Sequence, residues 1–415
     1  MKGPVLLVAD KNNKIYDLSE FAAGGMAGDK IFALSAKDLI PLPAEAKLFF
    51  LPQRTPLGLD LKSSEFRELE GYSPVAAFVP PGYTQLFTCA YKERRGADIL
   101  PLFSYAPLAW YKNRFYVPAI RVDQRKVHDL RGLNMAQLRR NIQAFKKTKN
   151  RVIFHLRNCA LSYKCPNAVN FFLGRYECPL PTSGHCNAQC LGCISFQPKN
   201  SCASSQERIN FIPTPEEIAE IALIHIKNAA DPIVSFGQGC EGEPLLAWEI
   251  ICEAIKIIRS KTQKGTIHMN TNASLPQSLN KLFDRGLDSI RVSFNSLRQE
   301  FYDKYYRPKG YMFGDVLKSV SLAKKMGKFV SLNYLVMPGF TDEPEEWQAL
   351  RKFIRKKNID MIQWRNLNYD PRRYFQELGI AKSTEKLLGI KTVMENIKKE
   401  FPHVRYGYFN VPIAK

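Results

Sequence analysis

From residue 176 onward, short apolar runs alternate with stretches whose apolar residues recur every three or four positions. The short runs are Ile233–Phe236, 266–270, Ser289–Phe294, Phe329–Val336 and 361–365, and one more ends at Thr182. Such runs predict buried strands. Between them, Ile218, Ile221, Ala222 and His225 share one helical face, and Trp248, Ile251, Cys252 and Ile255 share another. Leu279, Leu282 and Phe283 mark a third helix, Val316 and Val320 a fourth, and Trp347, Leu350 and Ile354 a fifth. Gly286 and Gly327 stand where a helix ends. Alternation over six units predicts parallel strands joined by right-handed crossovers. Six units fall short of a closed eight-stranded barrel. The expected fold is α/β, a partial (β/α)6 TIM-like barrel. Chemistry in such folds sits at the C-terminal ends of the strands. That rule gathers the 186–193 loop, the 237–244 turn, 271–273 and Asn295 at one rim.

The preceding stretch has a different pattern. Residues 75–79, 85–90 and 114–122 are rich in β-branched and aromatic side chains and predict strands. Tyr111-Lys112-Asn113-Arg114 reads as a hairpin turn, and a helix is expected over 134–147. Residues 1–170 therefore form a β-rich accessory domain in this reading, the one suited to determining the substrate. Residues 171–369 form the barrel core. Residues 370–415 add a helix over 383–399 and a terminal strand.

The chain has 415 residues, 45% hydrophobic and 24% charged, which is ordinary for a soluble globular protein. The apolar run at the start is ended by Asp10, and nothing approaches the roughly 18–20 apolar residues of a membrane span. A cytoplasmic, membrane-free protein is expected. Lys plus Arg number 60 against 39 Asp plus Glu, a formal charge of +21. The densest basic tract, 121–151, carries ten cations and two aspartates. An RNA partner is one reading of it. A solvated basic helix is the favoured one, because no aromatic residues interleave the tract as a base-stacking surface requires.

Eight of the ten cysteines lie between Cys159 and Cys240. Cys186, Cys190 and Cys193 have the spacing Cys-x3-Cys-x2-Cys. Three thiolates on one short loop suit three irons of a four-iron cube and leave the fourth iron open. A zinc site completed by His185 or another cysteine is the alternative on spacing alone. Cys159, Cys165, Cys178 and Cys202 have two readings: ligands of a second iron–sulfur cluster, or buried apolar thiols. Cys252 and His225 are expected in the core.

The cysteine motif resembles the signature of the radical S-adenosylmethionine (radical SAM) superfamily. Four later stretches resemble that family in the right order. They are Gly239-Cys240-Glu241-Gly242-Glu243-Pro244, Thr271-Asn272-Ala273, Arg291-Val292-Ser293-Phe294-Asn295-Ser296 and Leu335-Val336-Met337-Pro338-Gly339-Phe340. The resemblance covers about 176–368 and departs from the usual pattern at Gly192 and Ala273. It implies a [4Fe-4S] cluster on Cys186, Cys190 and Cys193, and S-adenosylmethionine held by Gly242, Glu243, Asn272, Ser293 and Asn295. It also implies a reducing partner such as flavodoxin or ferredoxin. The implied reaction cleaves S-adenosylmethionine reductively to methionine and a 5′-deoxyadenosyl radical, which takes hydrogen from a substrate. Protein and RNA are the two substrate classes weighed, and no residue is assigned to the substrate chemistry. No cysteine follows Cys252, so the cysteine-rich C-terminal extension of many peptide-modifying members is not expected. The competing class is a non-catalytic iron–sulfur or zinc protein that binds nucleic acid.

Overall fold

The computed structural model describes residues 3–127, 129–199, 201–380 and 386–413. Its architecture is mixed α/β, with two sheets of opposite character. Residues 5–121 build a 14-stranded, antiparallel sheet system. The expected runs are found there as Ser73–Phe78, Tyr83–Gln85 with Thr88–Cys89, and Arg114–Arg121. Tyr111 pairs with Arg114 across the predicted hairpin. Lys112 and Asn113 have φ of 48° and 59°. Two successive positive φ values give the turn whose twist matches its flanking strands.

The second sheet holds seven parallel strands: Glu177–Pro179, Ile233–Phe236, Thr266–Thr271, Ser289–Phe294, Phe329–Val336, Met361–Asn366 and Arg405–Gly407. Neighbours in this sheet follow chain order, so each crossover helix lies against adjacent strands. The six expected strands are all present. The terminal strand joins the same sheet as a seventh member by pairing with Met361–Asn366. Local signals start and stop the helices. The Pro215–Asn228 helix opens on a capping box between Thr214 and Glu217, and Gly286 ends Pro276–Arg285 at φ 115°. Among the described residues, no helix is long and apolar enough to cross a membrane.

The helices Met135–Ala144, Arg151–Leu161 and Pro166–Leu173 pack against one another and, through Pro166–Leu173, against the first parallel strand. Leu138, Ile142, Leu156 and Phe171 share one apolar cluster with Val234, Ile267 and Val292. The basic tract therefore includes an amphipathic helix, Met135–Ala144, whose apolar face, Leu138 and Ile142, is covered. Cys252 belongs to that cluster as well, and His225 is buried with its Nε2 3.1 Å from the Tyr176 carbonyl.

Polar contacts fix the antiparallel sheet to the barrel. Thr84 donates to the Trp364 carbonyl at 2.7 Å, and the Asn366 side chain accepts from Gln85 N–H at 2.9 Å. Arg54, with no exposed side-chain surface, reaches Asp370 at 3.0 Å. These contacts sit beside the C-terminal end of the sixth parallel strand. The accessory sheet thus borders the rim where chemistry is expected.

Candidate active site

At that rim, one polar cavity of about 340 Å3 is lined by Cys186, Cys190 and Cys193 together with Gly242, Glu243, Asn272 and Ser293. Eight of the sequence-derived site residues were proposed, and these seven meet. Asn295 does not. It is fully buried, donating to the Phe301 carbonyl and the Tyr374 hydroxyl at 3.2 Å each. Its placement follows from the end of the strand. Ser293 and Asn295 are two apart, which would place them on one face of a strand. The strand ends at Phe294, however, and the chain turns away before Asn295.

The cysteine loop hangs from two turns. Gly242 N–H donates to the Ser183 carbonyl at 2.6 Å, and Glu243 N–H donates to the His185 carbonyl at 2.8 Å. A β-carbon on Gly242 would lie 1.9 Å from that same His185 oxygen. Glycine is therefore required here so that two backbones can approach. The partner in that approach is the cluster loop itself. On the other side, Asn272 donates from its side chain to Asn187 Oδ1 at 2.7 Å, and Asn187 donates to Ser274 Oγ at 2.9 Å.

Glu243 is buried and its carboxylate is satisfied by the protein. It accepts from Thr271 Oγ1 at 2.5 Å, from Asn272 N–H at 2.8 Å and from Leu245 N–H at 3.1 Å. Burial raises its pKa to about 7. Its role in this geometry is to lock the second-strand turn to the third-strand turn. Glu241 does the same work one layer away. It accepts from Thr182 N–H and Gln238 N–H at 2.8 and 2.9 Å. Burial again raises its pKa. Glu241 lies within the Gly239–Pro244 motif but is not among the residues that the resemblance assigns to a ligand. The paired acidic residues around Gly242 were the available signal.

Burial pushes the Cys186 thiol up to about 11 and the Cys190 thiol well above its ordinary value. Thiols so placed stay protonated in water alone and lose their protons to solvent when a metal binds them as thiolates. Arg208 stands beside them, with Nη2 3.5 Å from Cys193 Sγ and Nε donating to Ser195 Oγ at 3.0 Å. Its charge favours the thiolate forms of Cys186 and Cys190, against the burial that raises them. Arg208 lies 15 residues beyond the motif, in a loop without periodicity, so no local pattern marked it.

The far wall carries charge that sequence reasoning did not assign. Arg291 and Arg365 line it, with Glu177, Asn333 and Asn410. Asn410 donates to Glu177 at 2.7 Å, and Arg365 donates to the Tyr408 carbonyl at 3.0 Å. The chain segment after the seventh strand therefore closes this wall. Burial first, then Arg365, lowers the Arg291 pKa to about 9. Arg291 Nε and Asn333 Oδ1 are buried without a hydrogen-bond partner among the described residues.

Comparison with known proteins now bears on this geometry. A family model described as the radical SAM superfamily matches residues 180–353. A probable GTP 3',8-cyclase of Methanocaldococcus jannaschii is 35% identical over 227 residues, covering 52% of this chain and 68% of that protein. The chain belongs to the radical SAM superfamily. The GTP 3',8-cyclase of Aquifex aeolicus is 28% identical over 224 residues, covering 52% of this chain and 62% of that one. The FeMo cofactor biosynthesis protein NifB of Klebsiella pneumoniae is 25% identical over 179 residues, 39% of this chain and 37% of that one. The chain thus spans less than two thirds of the Aquifex relative's length.

Radical SAM enzymes use a [4Fe-4S] cluster and S-adenosylmethionine, and the residues present fit both. Three thiols on one loop line one cavity beside a cation, which suits a cluster with one open iron. The partnerless Arg291 Nε and Asn333 Oδ1 leave hydrogen-bonding capacity for a polar ligand. Membership of a superfamily of enzymes also sets aside the reading of the chain as a non-catalytic zinc or iron–sulfur protein. The four other cysteines have no common centre among the described residues. Cys178 is buried against its own strand, Cys202 takes a contact from Ser201, and Cys159 and Cys165 border a separate small cavity.

Proposed function

We propose that this chain cleaves S-adenosylmethionine reductively and uses the resulting 5′-deoxyadenosyl radical to take hydrogen from a small anionic substrate. The observation that supports this most directly is the shared cavity of Cys186, Cys190, Cys193, Gly242, Glu243, Asn272 and Ser293. When bound, the cluster and S-adenosylmethionine supply the electron and the radical. The chain's own residues position them. Backbone carbonyls of the 239–242 turn suit an ammonium group, and Ser293 presents a hydroxyl to the same space. Glu243 and Glu241 hold that turn rigid.

An anionic substrate is favoured by Arg291 and Arg365, two guanidinium groups on the wall away from the cysteines. A guanidinium with an unpaired N–H matches a phosphate or carboxylate. GTP is the first substrate to offer, because two of the relatives carry GTP 3',8-cyclase names. RNA, raised by the +21 charge, and a protein partner remain the alternatives.

The test is anaerobic reconstitution, then dithionite and S-adenosylmethionine, with 5′-deoxyadenosine quantified by mass spectrometry. Product from the wild type and none from a C186A/C190A/C193A variant is the expected result. Deuterium transferred from a labelled substrate into 5′-deoxyadenosine would then identify the substrate. Protein with a verified cluster that forms no 5′-deoxyadenosine, with or without GTP, would refute the reading.

A further inference from the structure

A second set of metal-ligating side chains meets outside this cavity. His155 and Cys159 are four residues apart on the Arg151–Leu161 helix, so they project from one face. Cys240 comes from the turn after the second parallel strand. His155 Nε2 and Cys159 Sγ are 3.5 Å apart, and with Cys240 Sγ all three ligand atoms lie within 4.8 Å of one another. Among the described residues no other such group of three forms.

The spacing discriminates between occupants. Tetrahedral zinc, with Zn–S about 2.3 Å and Zn–N about 2.0–2.1 Å, has a sulfur–nitrogen edge of about 3.5 Å. The His155–Cys159 distance matches that edge. A four-iron cube would hold its ligands on separate irons and spread them further apart. Cys159 and Cys240 are buried, and the His155 ring packs edge-on against Phe211 at 6.5 Å. The imidazole is therefore held in place by packing. A cavity of about 150 Å3 borders both cysteines and is also lined by Cys165, Gln206 and Gln238. It gives a fourth ligand position polar and thiol neighbours. Two thiolates and a neutral imidazole around a divalent ion leave the buried site without net charge, the condition under which burial is tolerated.

We propose that His155, Cys159 and Cys240 bind a single divalent ion of the zinc class, its fourth position facing this cavity. Binding releases the two thiol protons to solvent. The ion would fasten the Arg151–Leu161 helix to the turn that carries Glu241 and Glu243. The site stands independently of whether the chain cleaves S-adenosylmethionine.

The full-length chain in a C186A/C190A/C193A background separates this site from the cluster cysteines. Elemental analysis should find about one zinc per chain, lost on adding either H155A or C240S. Cobalt substituted for zinc should give thiolate-to-metal charge-transfer absorption that C240S abolishes. If the triple background fails to fold, wild-type protein with its cluster reconstituted serves instead. It should retain one zinc beside its iron, and H155A, at a half-exposed position, should remove that zinc alone. Absence of zinc and of cobalt binding, or metal content unchanged by C240S, would overturn the proposal. So would a Cys159–Cys240 disulfide in anaerobically alkylated protein.

Discussion

The Thr271 hydroxyl donates to the Glu243 carboxylate at 2.5 Å, and the Asn272 N–H donates to its other oxygen at 2.8 Å. One buried carboxylate thus joins the ends of two neighbouring strands. Replacing Glu243 with Gln keeps the shape but puts an amide donor where backbone and hydroxyl donors point. A buried donor left facing donors costs about 1–3 kcal/mol. E243Q should lower stability by that amount in urea unfolding and weaken S-adenosylmethionine retention in equilibrium dialysis. Unchanged values for both would show that the two turns are held by other contacts.

Gly242 is set against the His185 carbonyl so closely that a methyl group cannot enter without moving the cluster loop. Overpacking of this kind costs about 1–3 kcal/mol. G242A should therefore incorporate several-fold less iron per chain on reconstitution, while far-UV circular dichroism stays near wild type. Iron and sulfide assays check this directly.

Arg54 and Asp370 form an ion pair with no exposed side-chain surface on either partner, linking the antiparallel sheet to the helix Pro371–Leu378. Asp370 also accepts from Leu100 N–H at 3.0 Å. Removing one partner leaves the other charge buried, at a cost of about 3–5 kcal/mol. R54A should lose stability on that scale. R54M/D370N, which removes both charges of the pair but keeps an oxygen for the Leu100 N–H and the helix cap, should recover part of it. Chemical denaturation of the two variants measures the difference.

His225 is buried, and burial lowers its pKa to about 4. The unfolded chain binds that proton near pH 6.5, whereas the native state refuses it. The stability it contributes is therefore complete above about pH 6.5 and is lost as the pH falls through about 4. The full effect is about 3 kcal/mol at roughly 1.4 kcal/mol per pKa unit. H225Q, which cannot titrate, should show a flatter stability profile between pH 6.5 and 4. An identical slope in both proteins would remove His225 as the source.

What was legible in the sequence is what depends on near neighbours. The 3.6-residue stripes and short apolar runs marked all six expected strands, because burial on a sheet writes its period into adjacent residues. The Cys186–Cys193 loop was legible for the same reason: one short segment carries all three thiols. Gly242, Glu243, Asn272 and Ser293 were singled out by resemblance to the family's strand-end motifs, and they line the same cavity as the cysteines. The tertiary structure alone decided what depends on distant segments meeting. It turned Asn295 into the core where the strand stops. It brought Arg208 to Cys193, Arg291 and Arg365 to one wall, and Asn410 to Glu177 across 233 residues. It also joined His155 and Cys159, a helical pair easily passed over, to Cys240 on a turn 81 residues away. No local period encodes such a meeting. Chain entropy opposes it, and only the packing of the helix against its neighbours fixes where the side chains stop.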